Sequence, residues 1–412
     1  MKKVVSTGCG LRMLAFANAL KNNFSATYKI VALMDIDPGK MALFAKRTQL
    51  DVPLFTNFDQ MCDSIKPDLI IIGTIDYFHA NYIVKALDRK IAVVSEKPLC
   101  VNFDQCREIL AAKKRNPEVF AVTSHNSRYR PVARMVKKLL ESGIIGKVIS
   151  VEYRETLDRI HGKSYFRRWN SQRQYSNGLQ LHKSSHHFDK LNYLLNSYAV
   201  EVTSTGTLLN YGANAPHTYS GEFCHSCQHK EVCPDYFAYD KELFDENYYT
   251  PDQCIWSPKI TIEDNFNAGI KFANGVFANY SLCAAADYEG EVIHLQGDKG
   301  RLEAVQLSFS TQSNDIHNTK AVPVENIKVY RFGKAEPEEF PIEHVANGAH
   351  GGADSTLFGE LFSENPPPSL PTLEDGILAV TTGAAAVESM LTGKKVIIPE
   401  DILSLARPKD VK

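Results

Sequence analysis

No run of 18 apolar residues occurs anywhere in the 412-residue chain, so a membrane-spanning helix is not expected. Nor does one sign of charge dominate. Lys plus Arg number 46 against 48 Asp plus Glu, which leaves no basic field to track a phosphate backbone and argues against a nucleic-acid partner. No internal repeat recurs along the chain. The basic start, Met1-Lys-Lys, lacks the apolar segment a secretory signal needs, because Gly8, Gly10 and Arg12 interrupt it. A cytoplasmic location is therefore expected. In that reducing compartment the nine cysteines should not pair as disulfides, and any clustering among them points to metal or chemistry.

What remains has the balance of a globular protein, 44% apolar and 23% charged, and a length that suggests two domains. Lys3 to Thr7 is a short apolar strand, Gly8-Cys-Gly10 a tight turn, and Leu11 to Leu20 an amphipathic helix. Glycines there allow a pyrophosphate close to the backbone, and the helix offers it free N–H groups through Leu11 and Arg12. The third glycine of this fingerprint is absent; Met13 stands in its place. The next strand, Ile30 to Met34, ends at Asp35, where a carboxylate can accept both ribose hydroxyls and repel a 2′-phosphate, favouring NAD over NADP. Asp37 is the competing reading, a helix cap before Pro38. Apolar runs at Asp68–Gly73, Ile91–Val94 and Phe120–Thr123 alternate with helical segments, the pattern of a doubly wound parallel sheet. Thr74, Glu96, Lys97 and Asn126 fall at the carboxyl ends of its strands, where ligands bind.

A second constellation lies at Asn177 to Asp189. A continuous helix from Leu181 would place His182, His186, Asp189 and Tyr193 on one stripe and Leu181, Phe188, Leu191 and Leu195 on the opposite face. Two imidazoles at this spacing can share a proton, hold a metal, or rim the core.

Gly8-Cys-Gly10, Thr74 with His79, Glu96-Lys97-Pro98, the histidine helix, Gly297-Asp-Lys-Gly300 and Glu374-Asp-Gly376 together resemble the Gfo/Idh/MocA oxidoreductases nearly end to end. The resemblance implies an NAD-binding Rossmann domain (1–127) and an α+β domain (128–412) with an open, mostly antiparallel sheet that often serves homodimers or homotetramers. A C-terminal helix is expected to return toward the first domain. It also implies hydride transfer at a carbinol carbon of a sugar, glycoside or polyol, with Lys97 at the reacting hydroxyl and His186 as acid/base. An imidazole suits loss of the O–H proton, and an ammonium favours the developing alkoxide. Two rival readings accompany it: redox-neutral glycoside cleavage with transiently used NAD, and a nucleotide or sugar sensor, against which intact Lys97 and His186 argue. Where this family commonly carries Asp, four residues before its His, the chain has His182. Either the two imidazoles share a proton, or His182 meets substrate and another group orients His186.

The loop Asp158 to Trp169 offers His161, Tyr165, Arg168 and Trp169, aromatic faces beside cations, as a carbohydrate site. Cys224-x2-Cys227-x5-Cys233 with Cys254, inside an irregular insert at about 223–256, reads as a tetrathiolate site, zinc first and an iron–sulfur cluster second. His225 and His229 could replace a cysteine. Residues 323–341 read as a polar surface excursion, and Asn347 to Asp354 as a glycine-rich approach to a ligand.

Overall fold

The computed structural model describes residues 1–241, 249–310, 321–342 and 352–407. Apolar runs rich in β-branched residues build the first sheet: β1 (Lys2–Thr7), β2 (Tyr28–Met34), β3 (Leu54–Phe55), β4 (Leu69–Ile72), β5 (Ala92–Ser95) and β6 (Ala121–Thr123). All pair in parallel, in the order β3-β2-β1-β4-β5-β6. Leu69 to Ile72 are buried without exception, as a strand covered by helices on both faces requires. The order reverses between β1 and β4. That is the switch point at which a parallel sheet opens a crevice beyond its carboxyl ends.

The second sheet comprises β7 (Val148–Asp158), β8 (Ala199–Thr207), β9 (Asn265–Phe272), β10 (Phe277–Ala286), β11 (Glu289–Gly297), β12 (Gly300–Ser310), β13 (Ala321–Arg331), β14 (Glu338–Glu339) and β15 (Val396–Ile397). Its order is β14-β13-β12-β11-β7-β10-β9-β8-β15, with β7 and β10 parallel and the other described pairs antiparallel. Alternate residues of β9 are buried, so one face packs inward. Against it lie the Ser185–Leu195 and Leu373–Thr392 helices. The latter begins with a capping box between Thr372 and Asp375 and also packs on β6. Before it, the Ala353–Leu361 helix crosses back to the first domain. Its Phe358 sits 4.7 Å from the Phe16 ring, and Phe362 is 5.2 Å from Tyr28. Residues beyond 350 thus complete the core beneath β1 and β2. Among the described residues, no helix is long and apolar enough to cross a membrane.

Three local expectations change. The helix predicted from Leu181 is two helices, Leu179–His182 and Ser185–Leu195. The Ser184 N–H reaches five residues back to the Leu179 carbonyl, a widened turn, and the Ser184 hydroxyl is held by Tyr280 at 2.9 Å. His182 therefore leaves the stripe that carries His186. The predicted 158–169 loop is largely the helix Arg159–Phe166, whose first turn is capped by the Asp158 carboxylate accepting from His161 N–H at 2.7 Å. Residues 323–341 are not an excursion but supply β13 and β14, because buried Ile327 and Val329 alternate with polar neighbours.

Candidate active site

The glycine turn is fixed by contact. Gly8 has φ +96°, and a Cβ on it would lie 2.4 Å from the Gly73 carbonyl oxygen, so only glycine fits where β1 and β4 meet. Gly10 precedes the Leu11–Asn23 helix without a side-chain cap, and a Cβ there would meet open space. Leu11, half-exposed, and Arg12 open that helix. Buried Met13, in place of the fingerprint's third glycine, is accommodated by a glycine on the other strand: a Cβ on Gly73 would come 2.3 Å from its sulfur. Asp35, at the end of β2, accepts from Cys9 N–H at 2.8 Å and Asp37 N–H at 3.2 Å, with Lys40 3.4 Å away. Asp37 caps the following helix through Lys40 N–H at 2.9 Å. The cradle, the uncapped helix start and the carboxylate fit a dinucleotide: backbone donors for a pyrophosphate and an acceptor for ribose hydroxyls.

Beside it, Arg12, Glu96 and Asn126 meet one another around Asp354. Arg12 pairs with Glu96 at 2.9 Å and with both Asp354 oxygens at 2.7 and 2.9 Å, while Asn126 donates to Asp354 at 2.8 Å. Ser124 donates to Glu96 at 2.6 Å. Of the predicted glycine-rich approach at 347–354, only residues from 352 onward lie within the described part; Asp354 is the member placed at the site. His79 joins two loops, its ring nitrogens 2.7 Å from the Pro98 carbonyl and 3.1 Å from that of Thr74.

Lys97 leaves β5 through a cis Lys97–Pro98 peptide, and its ammonium donates to the His182 carbonyl at 3.1 Å. Burial draws its pKa down to about 8 against the pull of Asp76 and Glu96. His182, which stands where a carboxylate was expected, is itself held by one from the first domain: Asp76, two residues past Thr74, lies 2.5 Å from His182 Nδ1. Burial raises Asp76 to about 7, opposed by His79 and Lys97. Above that pH the ring donates through Nδ1, leaving Nε2 as acceptor. His186 lies opposite His125, ring centres 5.8 Å apart, with its Nδ1 buried and unpartnered. Burial, then Lys97, holds its pKa well below the usual imidazole value. Asp189 does not serve the imidazoles; it takes a bidentate pair from buried Arg128 at 2.9 and 2.5 Å.

The predicted substrate residues converge on His182. Tyr165 and Trp169 present edges to its ring at 5.6 and 5.4 Å, Arg168 lies over Tyr165 at 5.8 Å, and His161 is 5.2 Å from Tyr165. His161 also bonds Glu289 at 2.8 Å. Burial alone would raise Glu289, but His161 outweighs it and holds it near 2. The cysteines lie apart, in the connection between β8 and β9. Cys224, Cys227, Cys233 and Cys254 line one cavity, whereas His225 is engaged by Asp252 at 2.8 Å and His229 packs on Tyr219. Asp76 and His125 were not identified from sequence, and only the position of Asp76 beyond a strand end carried a signal; Asp354 was reached only as the end of the glycine-rich stretch, without its role as partner of Arg12 and Asn126.

A glycine cradle at a switch point, opening onto a buried lysine beside a carboxylate-held histidine, defines an NAD-binding oxidoreductase. Residues 2–124 match the model described as oxidoreductase family, NAD-binding Rossmann fold, and residues 137–398 match that family's C-terminal alpha/beta domain. The chain belongs to this Gfo/Idh/MocA oxidoreductase family. It is 33% identical to a Bacillus subtilis (strain 168) protein named as an oxidoreductase, YteT, over 97% of this chain and 98% of that one. It is 26% identical to a 2,7-anhydro-N-acetylneuraminate hydratase of Mediterraneibacter gnavus, over 43% of this chain and 46% of that one. A levoglucosan dehydrogenase in complex with NADH and levoglucosan shares the fold, with TM-score 0.66 at 18% identity, covering 97% of this chain and 99% of that one.

Proposed function

We propose that the chain transfers hydride between nicotinamide and a carbinol carbon of a sugar, glycoside or polyol. The observation that supports this reading is the contact of the buried Lys97 ammonium with the His182 carbonyl beside the Asp76–His182 pair, at the carboxyl ends of the strands where the Gly8 turn also lies. NAD, when bound, supplies the hydride acceptor; Gly8, Gly10, Leu11, Arg12 and Asp35 hold its phosphate and ribose end, and Thr74, His79, Glu96 and Asn126 shape the nicotinamide side. Lys97 hydrogen-bonds the reacting oxygen and stabilises its developing negative charge. His186 takes the hydroxyl proton, a role open to it because its depressed pKa keeps the ring neutral near pH 7. His182, aligned by Asp76, orients the same oxygen or its neighbour, while His161, Tyr165, Arg168 and Trp169 face the remaining hydroxyls and C–H surfaces of the substrate.

Absorbance at 340 nm, followed with NAD and a panel of sugars, polyols and glycosides, tests it. Sustained growth of the NADH band, lost in Lys97→Ala and His186→Ala, is expected. The hydratase named among the relatives favours one second reading, a redox-neutral reaction in which the cofactor is restored. Product formation with no net NADH would replace the first reading by that one.

A further inference from the structure

The insert between β8 and β9 contains an assembly that hydride transfer does not use. Its strand-like contact, Phe223 against Gln253, brings two distant segments together. Cys224 N–H donates to the Asp252 carbonyl at 2.8 Å and Cys254 N–H to the Glu222 carbonyl at 2.9 Å. Cys227 follows in a turn closed on Cys224, and Cys233 in one closed on His229. All four cysteines thereby line a single cavity, together with Phe223, Tyr236 and Trp256.

The groups around the sulfurs are donors. Arg167, 5% exposed, aims Nη1 at Cys224 Sγ from 3.3 Å, and the Phe237 backbone N–H faces the same sulfur. His229 N–H points at Cys227 Sγ from 3.4 Å. Among the described residues no carboxylate forms an ion pair with Arg167; its other terminal nitrogen donates to the Asp235 carbonyl. These donors give a metal-bound sulfur at Cys224 the hydrogen-bonding partners that such ligands take. Gly221 permits the approach, since a Cβ there would lie 2.9 Å from Cys227 Sγ.

Spacing bears on what the thiolates hold. Zinc, at about 2.3 Å from each sulfur, draws four thiolates to within about 3.8 Å of one another. Among the described residues, the three ligand-type side chains whose atoms lie within 4.8 Å of one another are Glu155, His187 and Glu291, and the cysteines form no such group. In that trio the cation is already present: Lys190 reaches Glu291 at 2.5 Å and Lys183 reaches Glu155 at 3.3 Å. Thiolates set wider around a cavity, with N–H donors to sulfur, suit the corners of an iron–sulfur cluster.

We propose that Cys224, Cys227, Cys233 and Cys254 hold one tetrathiolate metal centre, an iron–sulfur cluster in preference to zinc, and that this centre fixes Arg168 and Trp169 beside His182. Binding requires only that the four S–H protons leave as metal–sulfur bonds form; the cysteine sulfurs keep their oxidation state. The mechanical link is short. Gln253, next to Cys254, donates to the Phe166 carbonyl and the Ser171 hydroxyl, both at 3.1 Å. Arg167 lies between the sulfur it contacts and Arg168, and Lys163 of the same helix pairs with Asp235, two residues from Cys233. The positioning role rests on the dehydrogenase reading; the metal content does not, so the two can fail separately.

The test is elemental analysis of the full chain purified without air, with absorbance and acid-labile sulfide. About four iron and four sulfide per chain, with a broad band near 400 nm, are expected for a cubane cluster. About one zinc and no iron would retain the tetrathiolate centre and overturn the cluster. Metal-free protein whose four thiols react freely after anaerobic reconstitution would overturn the centre itself. Cys233→Ser should lose the metal, while Cys283→Ser, a change in β10 away from the cavity, should keep it. If Cys233→Ser does not fold, chelator-stripped wild type serves instead. Loss of metal should raise KM for the carbohydrate at least fivefold and leave NAD affinity within twofold. An equal loss of both would overturn the positioning role.

Discussion

Asp76→Asn tests the feature that most distinguishes this site, a carboxylate delivered to the histidine from the other domain. In the wild type, kcat/KM for carbinol oxidation should rise as Asp76 ionises near pH 7 and fall as Lys97 discharges near pH 8, giving a narrow optimum between them. Asparagine keeps the shape and a hydrogen bond to His182 Nδ1 but removes the charge. A hydrogen bond to a charged group contributes about 1.5–3 kcal/mol. A neutral one contributes about 0.5–1.5 kcal/mol, so the downgrading loses about 1–1.5 kcal/mol and predicts a fall in kcat/KM of roughly 5- to 13-fold, since 1.36 kcal/mol is about tenfold. The direction of the pH change is the sharper readout. Asp76 is the largest influence holding the Lys97 pKa up against burial. Without it the basic limb must move to lower pH, by about one unit for an interaction near 1.4 kcal/mol, and the limb near pH 7 must disappear. Initial rates from pH 5.5 to 9.5 at saturating NAD, with circular dichroism to verify folding, would show both. Activity within twofold of wild type and an unmoved basic limb would refute the assignment of Asp76 as the charge partner of His182 and Lys97.

Gly8→Ala would set a Cβ 2.4 Å from the Gly73 oxygen at a φ of +96°; NAD affinity by fluorescence titration should drop at least tenfold, and an unchanged Kd would show that the turn yields. Met13→Gly restores the family fingerprint, yet it empties a buried core site and adds a helical glycine, so urea denaturation should show a loss of about 3–5 kcal/mol with no gain in NAD affinity. Arg128→Met leaves the Asp189 carboxylate, fully buried, without its bidentate partner; about 3–5 kcal/mol of stability should go, and Arg128→Met with Asp189→Leu should recover much of it.

The first domain was legible because every requirement it satisfies is local. A buried parallel strand needs a continuous apolar run, a close approach needs glycine, and a ligand site lies past strand ends, so Gly8, Asp35, Thr74, Glu96 and Lys97 could be placed from neighbours in sequence. The histidine segment was less legible. Its 3.6-residue periodicity is genuine on both sides of Ser184, and the widened turn between them is joined to the hydroxyl of Tyr280, a residue on β10 that no pattern in residues 177–189 encodes. The 323–341 stretch misled for the converse reason, since polar residues dominate a strand whose apolar content is confined to alternate positions such as Ile327 and Val329.

The exchange of partners at the site follows from the same distinction between local and distant determinants. A carboxylate one helical turn before the acid/base histidine orients it from within its own helix, at the cost of fixing both groups to one backbone. With His182 at that position, His186 has no carboxylate at its buried Nδ1, and the carboxylate that does enter, Asp76 on the loop that leaves β4, holds His182 instead. That loop also carries Thr74 and, through His79, is tied to the Pro98 carbonyl beside Lys97. Any shift of the first domain relative to the second therefore changes the Asp76–His182 distance and the Lys97–His182 contact together. Alignment of the His182 imidazole therefore depends on how the two domains are apposed, whereas a carboxylate on the histidine's own helix would be independent of it.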